Sequence, residues 1–151
     1  MILEGNEKFD TIMIIDDNTI DLYISSRIIT KNKFAKKLLQ FSSAVEALDY
    51  LNENQENKSL LPNLILVDIH MPIMSGFEFM EIYNQLSTEL KSNCDVYIIS
   101  STINDEDLKK IHNDKNIIAF HEKPITKEFL DDINGMPIHI SSRKASKFYK
   151  I

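Results

Sequence analysis

The chain has little of what would staple, loop or anchor a protein. One cysteine, Cys94, stands in 151 residues, so no internal disulfide can form and no cysteine cluster has zinc-ligand spacing. Cys94 precedes an apolar run and reads as a small packing residue. Glycine is nearly as scarce. Gly5, Gly76 and Gly135 are the only three, and a glycine-rich phosphate loop cannot be built from them, which counts against a flavodoxin-type nucleotide site. No apolar run approaches the roughly 20 residues of a membrane helix. The N-terminus has no basic segment leading into a signal core, so cytoplasmic residence and no membrane partner are expected. Basic residues are outnumbered, 17 against 23 acidic, for a formal charge of -6. That balance argues against a nucleic-acid partner.

What the chain does have is the composition of one soluble domain, 43% hydrophobic and 26% charged. Its organising stretch is Leu64-Ile65-Leu66-Val67, bounded by Pro62 and Asn63 upstream and by Asp68 and Pro72 downstream. Four apolar residues with no polar alternation predict a short strand buried on both faces, as in a parallel sheet. Thr11 to Ile15 is a second such run, ending on Asp16 and Asp17. Lys36 to Phe41 is a weaker strand, Val96 to Ile99 a fourth ending on Ser100, and Asn116 to Phe120 a fifth leading to Lys123-Pro124.

Helical patterns separate the runs. Asn18 caps a first helix over about residues 19 to 31, with Asp21 in its first turn and Ile20, Ile24 and Ile28 at helical spacing. Ser43 and Glu46 have the capping-box pattern ahead of Ala44, Ala47, Leu48 and Leu51. A third helix begins at Ser75-Gly76, with Phe79, Tyr83, Leu86 and Leu90 as one stripe. Asn104 and Asp107 cap a fourth with a thin apolar face, and a short fifth runs from about Thr126 to Ile133. Strand and helix alternating five times predict an α/β fold: a doubly wound parallel sheet with five flanking helices. A domain over 1–133 and a flexible, basic tail over 134–151 are expected.

In such a sheet the carboxyl ends of the strands line the ligand crevice. Asp16, Asp17, Asp68, Ser100 and Lys123 all fall there. Asp68 alone reads equally as a carboxylate that caps a turn. Three carboxylates together repel one another, and a hard cation such as Mg²⁺ relieves that while keeping positions for a phosphate. A lysine, a hydroxyl and one free carboxylate complete a pocket for a phosphoryl group.

Asp16-Asp17, then Asp68 with Met71-Pro72 and Gly76, then Ser100, then Lys123-Pro124, each at its strand end, resemble the receiver domain of two-component response regulators over about residues 9 to 133. The resemblance implies the flavodoxin-like strand order 2-1-3-4-5. It makes Asp68 the acceptor of a phosphoryl group from a histidine kinase or histidine phosphotransfer protein. It makes Asp16, Asp17, Asp68 and the main-chain carbonyl of His70 the Mg²⁺ ligands. Ser100 and Lys123 then bond the phosphoryl group, and Ser100 and Phe120 form a switch in which the ring turns inward. It also implies a cis Lys123-Pro124 bond. Core packing is the other reading of Phe120, and a surface histidine the other reading of His70.

A single-domain receiver that acts by binding a downstream protein, and not as an enzyme, is the expected function. Homodimerisation through the fourth and fifth helices stays open. The alternatives are a Mg²⁺-dependent aspartyl-phosphate phosphohydrolase and a receiver-like scaffold that is never phosphorylated. In the haloacid-dehalogenase type of hydrolase the nucleophile lies two residues before a second Asp, whereas here Asp16 and Asp17 are adjacent.

Overall fold

The Leu64–Val67 run forms the middle strand of a five-stranded parallel sheet, and all four side chains are buried. A computed structural model of the chain describes residues 9–134. Of the expected tail over 134–151, Asn134 belongs to the last helix, and the rest, with Gly135, Pro137 and His139, lies outside the described residues. The strands are β1 (Phe9–Ile15), β2 (Ala35–Phe41), β3 (Leu64–Val67), β4 (Asp95–Ser100) and β5 (Ile117–Glu122), in the order β2-β1-β3-β4-β5. This is the order expected of the flavodoxin-like fold.

The helices are α1 (Thr19–Lys31), α2 (Ala44–Glu53), α3 (Gly76–Tyr83), α4 (Thr88–Ser92), α5 (Asp105–Asn113) and α6 (Lys127–Asn134). A 3-10 turn covers Lys58–Leu60. The described residues thus hold six helices where five were expected, because the third one breaks. Asn84 ends α3, and its side-chain amide reaches Asp114 at 2.9 Å. The main-chain N–H of Ser87 donates to the Gln55 side chain at 2.7 Å, while the Ser87 hydroxyl caps α4. Partners about thirty residues away decide this break, so the Phe79-Tyr83-Leu86-Leu90 spacing could not show it. Phe79, Tyr83 and Leu90 are buried even so.

Alternate residues of the central strands feed two cores. Met13, Ile15, Ile65 and Val67 pack under α2, α3 and α5, while Ile12, Ile14, Leu64 and Leu66 pack under α1 and α6. The alternation slips once. Val96 pairs with Ile117 but Tyr97 pairs with Ala119, so Ile118 is an extra residue and Phe120 comes to the first core, opposite Ile98.

Helix α1 has the expected extent, but of the expected isoleucine stripe only Ile28 packs against the core. Ile20 is 68% and Ile24 40% exposed, while Ile29 is buried. Asp21, Leu22, Ser25 and Ser26 lie on the half-buried face. That rotation places Asp21 on the side of the helix that meets Lys123. Asn18 caps the helix as expected, accepting from the N–H groups of Ile20 and Asp21, both at 3.0 Å. Only half of the expected Ser43–Glu46 box forms, the Glu46 N–H to Ser43 bond at 3.3 Å. The Asn104–Asp107 box is complete.

Candidate functional site

The site is assembled by strand ends. Asp16 follows β1, Asp68 follows β3, Ser100 ends β4 and Lys123 follows β5. One carboxylate oxygen each from Asp16, Asp17 and Asp68 lies within 4.8 Å of the other two. Asp16 and Asp68 are buried and Asp17 is exposed. Three oxygen donors at this spacing fit a hard divalent cation such as Mg²⁺, the sixfold oxygen shell being completed by carbonyl, water or phosphate. Soft or nitrogen-preferring metals find no cysteine or histidine in the cluster.

Lys123 closes the cluster. Its Nζ lies 2.8 Å from Asp16 Oδ2, 2.8 Å from Asp21 Oδ2 and 3.0 Å from Asp68 Oδ2. Burial opposes the ammonium charge, but hydrogen bonds to Asp16, Asp21 and Asp68 outweigh it and push the lysine pKa upward. Burial pushes the Asp16 carboxyl up as well, against the pull of Lys123 and of the Asn18 N–H, which donates to it at 2.9 Å. The aim of the lysine is set by its backbone. The Lys123 N–H donates to the Ser100 carbonyl at 2.9 Å, and the Lys123-Pro124 bond is cis, as the resemblance implied.

Asp68 is held from the other side as well. The His70 main-chain N–H donates to Asp68 Oδ1 at 3.2 Å, leaving Oδ2 to the lysine. Behind it the β3–α3 loop folds back tightly. A Cβ on Gly76 would sit 2.9 Å from Ile69 Cα and against the Asp68 carbonyl oxygen, so this close approach requires glycine. The same loop carries Ile73 at φ 70°, strained for a β-branched residue, with its side chain 96% exposed.

Ser100 is fully buried, and its hydroxyl donates to the Thr102 carbonyl of the following loop at 3.1 Å. His70 Nε2 is 3.3 Å from the same carbonyl. Phe120 is 1% exposed, so its ring is already inward and part of the core in this state. His121 packs on Phe129 at 4.2 Å between ring centroids. The structure therefore joins Asp16, Asp17, Asp68 and Lys123 into one cluster and leaves Ser100 and Phe120 beside it. Asp21, read from the sequence only as a favourable acid at a helix start, proves to be a direct partner of Lys123. Its signal was present: Asp21, Ser25 and Ile29 lie four residues apart on one helix face, and Ile29 is core.

A fold of this order, with this acid cluster at its carboxyl edge, has the arrangement of a signalling receiver domain. The model of the response regulator receiver domain matches residues 12–133, and the chain belongs to that family. The crystal structure of a response regulator receiver protein from Dyadobacter fermentans is 27% identical, covers 82% of this chain and 93% of its own, and gives a TM-score of 0.73. That of a two component response regulator from Cytophaga hutchinsonii is 25% identical over 84% of this chain and 95% of its own, with a TM-score of 0.77. Response regulator Rcp1 from Synechocystis is 25% identical over 112 residues, 74% of this chain and 69% of its own. The structure of its Mn²⁺-bound form shares the fold at a TM-score of 0.65 and 19% identity, covering 83% of this chain and 90% of its own. No helix among the described residues is long and apolar enough to cross a membrane.

Proposed function

We propose that this receiver accepts a phosphoryl group on Asp68 from the phosphohistidine of a histidine kinase or phosphotransfer protein, and that the phosphorylated form binds a downstream protein. The observation that carries the reading is the ammonium of Lys123 on Asp68 Oδ2 at 3.0 Å, inside a cluster that also offers Asp16 and Asp17 to a cation. Asp16, Asp17, Asp68 and the His70 carbonyl are the groups that would hold Mg²⁺, which supplies charge neutralisation at the phosphoryl oxygens when bound.

The chain's own groups then divide the work. One oxygen of Asp68 attacks phosphorus. The phosphorus–oxygen bond forms as the phosphorus–nitrogen bond of phosphohistidine breaks, its electron pair leaving on the imidazole nitrogen. Lys123 holds a donor beside the attacking carboxylate and bonds the phosphoryl oxygens as charge arrives. The His70 N–H fixes the rotation of the carboxylate. Ser100 gives up Thr102 and donates to the new anion. Because Phe120 starts inward and buried, that re-partnering acts on a ring already packed among α5 and β5 neighbours. The output surface of this reading is α5, β5 and α6.

The test is intact mass after incubation with acetyl phosphate and Mg²⁺. The wild type gains one hydroxylamine-labile phosphoryl group, and Asp68→Ala gains none. Metal binding with no adduct would instead favour the unphosphorylated scaffold, and turnover of phosphomonoesters the phosphohydrolase.

A further inference from the structure

Lys123 is the hinge of the site, and the ammonium has three N–H donors and no more. Three carboxylates lie within 3.0 Å of it, Asp16, Asp21 and Asp68, and Asp21 and Asp68 accept its hydrogen bonds. Two of these belong to the cluster that suits a cation, and Asp21 does not. Asp21 differs from them in setting as well. It sits on the first turn of α1, its N–H held by the Asn18 cap, and its side chain is 34% exposed against 5% for Asp16 and 7% for Asp68. Its backbone is fixed by the cap at the amino end of the helix.

We propose that Asp21 is a positioning residue for Lys123, holding the ammonium on the α1 side of the crevice and weakening its grip on an anionic phosphoryl group. The inference rests on Asp68 as phosphoacceptor. When a phosphoryl group arrives on Asp68, its oxygens must share the same three donors. A cation on Asp16 and Asp68 would draw those oxygens toward itself, but it leaves Asp21 in place. Asp21 therefore stays as the standing competitor of the phosphoryl group for Lys123. It also places a negative charge within 2.8 Å of the positive charge that the phosphoryl group needs. Both effects have one sign: Asp21 lowers affinity for the anion. It also restricts the swing of Lys123, so release of Asp21 changes anion binding before it changes the rate of the bond-making step.

The test compares wild type, Asp21→Asn, Asp21→Ala and Asp21→Glu at saturating Mg²⁺, with fluoroberyllate as the phosphoryl mimic and acetyl phosphate as donor. Asp21→Asn and Asp21→Ala should bind fluoroberyllate roughly 3- to 10-fold more tightly. Their KM for acetyl phosphate should fall by a similar factor while the maximal rate stays within about twofold. Asp21→Glu, which keeps the charge, should return both toward wild type. A residue that only started the helix would shift the thermal midpoint without splitting KM from the maximal rate. Unchanged or weaker fluoroberyllate binding in Asp21→Asn, or an Asp21→Glu protein that behaves like Asp21→Asn, overturns the proposal while the phosphoacceptor reading stands. A wild type that takes up neither fluoroberyllate nor a phosphoryl group overturns both.

Discussion

At the amino ends of the strands the polar groups answer one another, while at the carboxyl ends they compete. On the amino side the Asn63 side chain accepts from the Thr11 N–H at 2.9 Å. Asp114 accepts from the Asn84 amide and from the Asn116 N–H, both at 2.9 Å, and the Asn116 amide donates to Asn84 at 2.6 Å. Lys91 adds a donor to the Asn84 carbonyl at 2.6 Å. Donors and acceptors are matched within this group, and the result is a latch joining α3, α4 and the start of β5. On the carboxyl side Asp16, Asp21 and Asp68 share one ammonium, with Asp17 close by. Anionic charge exceeds cationic charge, and no rearrangement of these groups alone removes the excess. A fold tolerates such a mismatch where something else is to arrive.

The most forceful way to break this comparison is to remove the one cation. Lys123→Ala leaves Asp16 and Asp68 buried without their counter-ion, and should lower stability at pH 7 by about 2–4 kcal/mol. With the lysine gone, burial holds the Asp16 carboxyl above its ordinary range, so its ionised form destabilises the native state. The deficit is therefore largest at neutral pH and shrinks as the pH falls toward 4. Urea unfolding with and without Mg²⁺ reads this directly, since a cation on the freed carboxylates should restore much of the loss. Phosphorylation should slow by about 100-fold or more at the same time. A variant as stable as wild type at both pH values would mean that the carboxyl edge holds no electrostatic tension.

The contrast between the edges also explains what is legible in the sequence. The apolar runs spell out all five strands, and the residue at the end of each run names most of the site: Asp16, Asp17, Asp68, Ser100, Lys123. Local chemistry suffices because a parallel sheet brings strand ends together whatever lies between them. The misreadings have long-range causes. The α3–α4 break is fixed by Gln55 and Asp114. The rotation of α1 puts Ser25 and Ser26, and not Ile20 and Ile24, on the half-buried face. Asp21 became a partner of Lys123 through that rotation, across 102 residues of chain. Phe120 owes its inward place to the slip at Val96 and Tyr97, which no period in the sequence announces.

A cut on the matched edge should behave differently. Asn84→Ala removes a donor to Asp114 and an acceptor from Asn116, yet it leaves the main chain that Lys91 contacts. A loss of about 1–2 kcal/mol is expected, with the rate of phosphorylation from acetyl phosphate within about twofold of wild type. Thermal unfolding and the intact-mass assay on the same preparation decide it. A large fall in phosphorylation with little change in stability would show that the two edges are coupled, and the division drawn above would fail.

The amino edge has one acid that does not share this balance, and it gives the finest test. Asp95 begins β4, half-buried, and burial pushes its carboxyl up to about 6. Unfolding returns the group to its ordinary value near 3.8. Between those two values the native state binds the proton that the unfolded chain has lost, so stability falls as the pH rises through this window. Asp95→Asn removes the charge and keeps the shape. It should raise stability at pH 7 by about 1 kcal/mol, the full effect of the shift being reduced by solvent near the strand end. The gain should be mostly lost at pH 4, close to the unfolded-state value, and phosphorylation should not change. Thermal midpoints of the two proteins at pH 4 and pH 7 suffice. If they coincide at both, water reaches Asp95 freely, and charge out of balance is confined to the edge where Lys123 stands among its three acids.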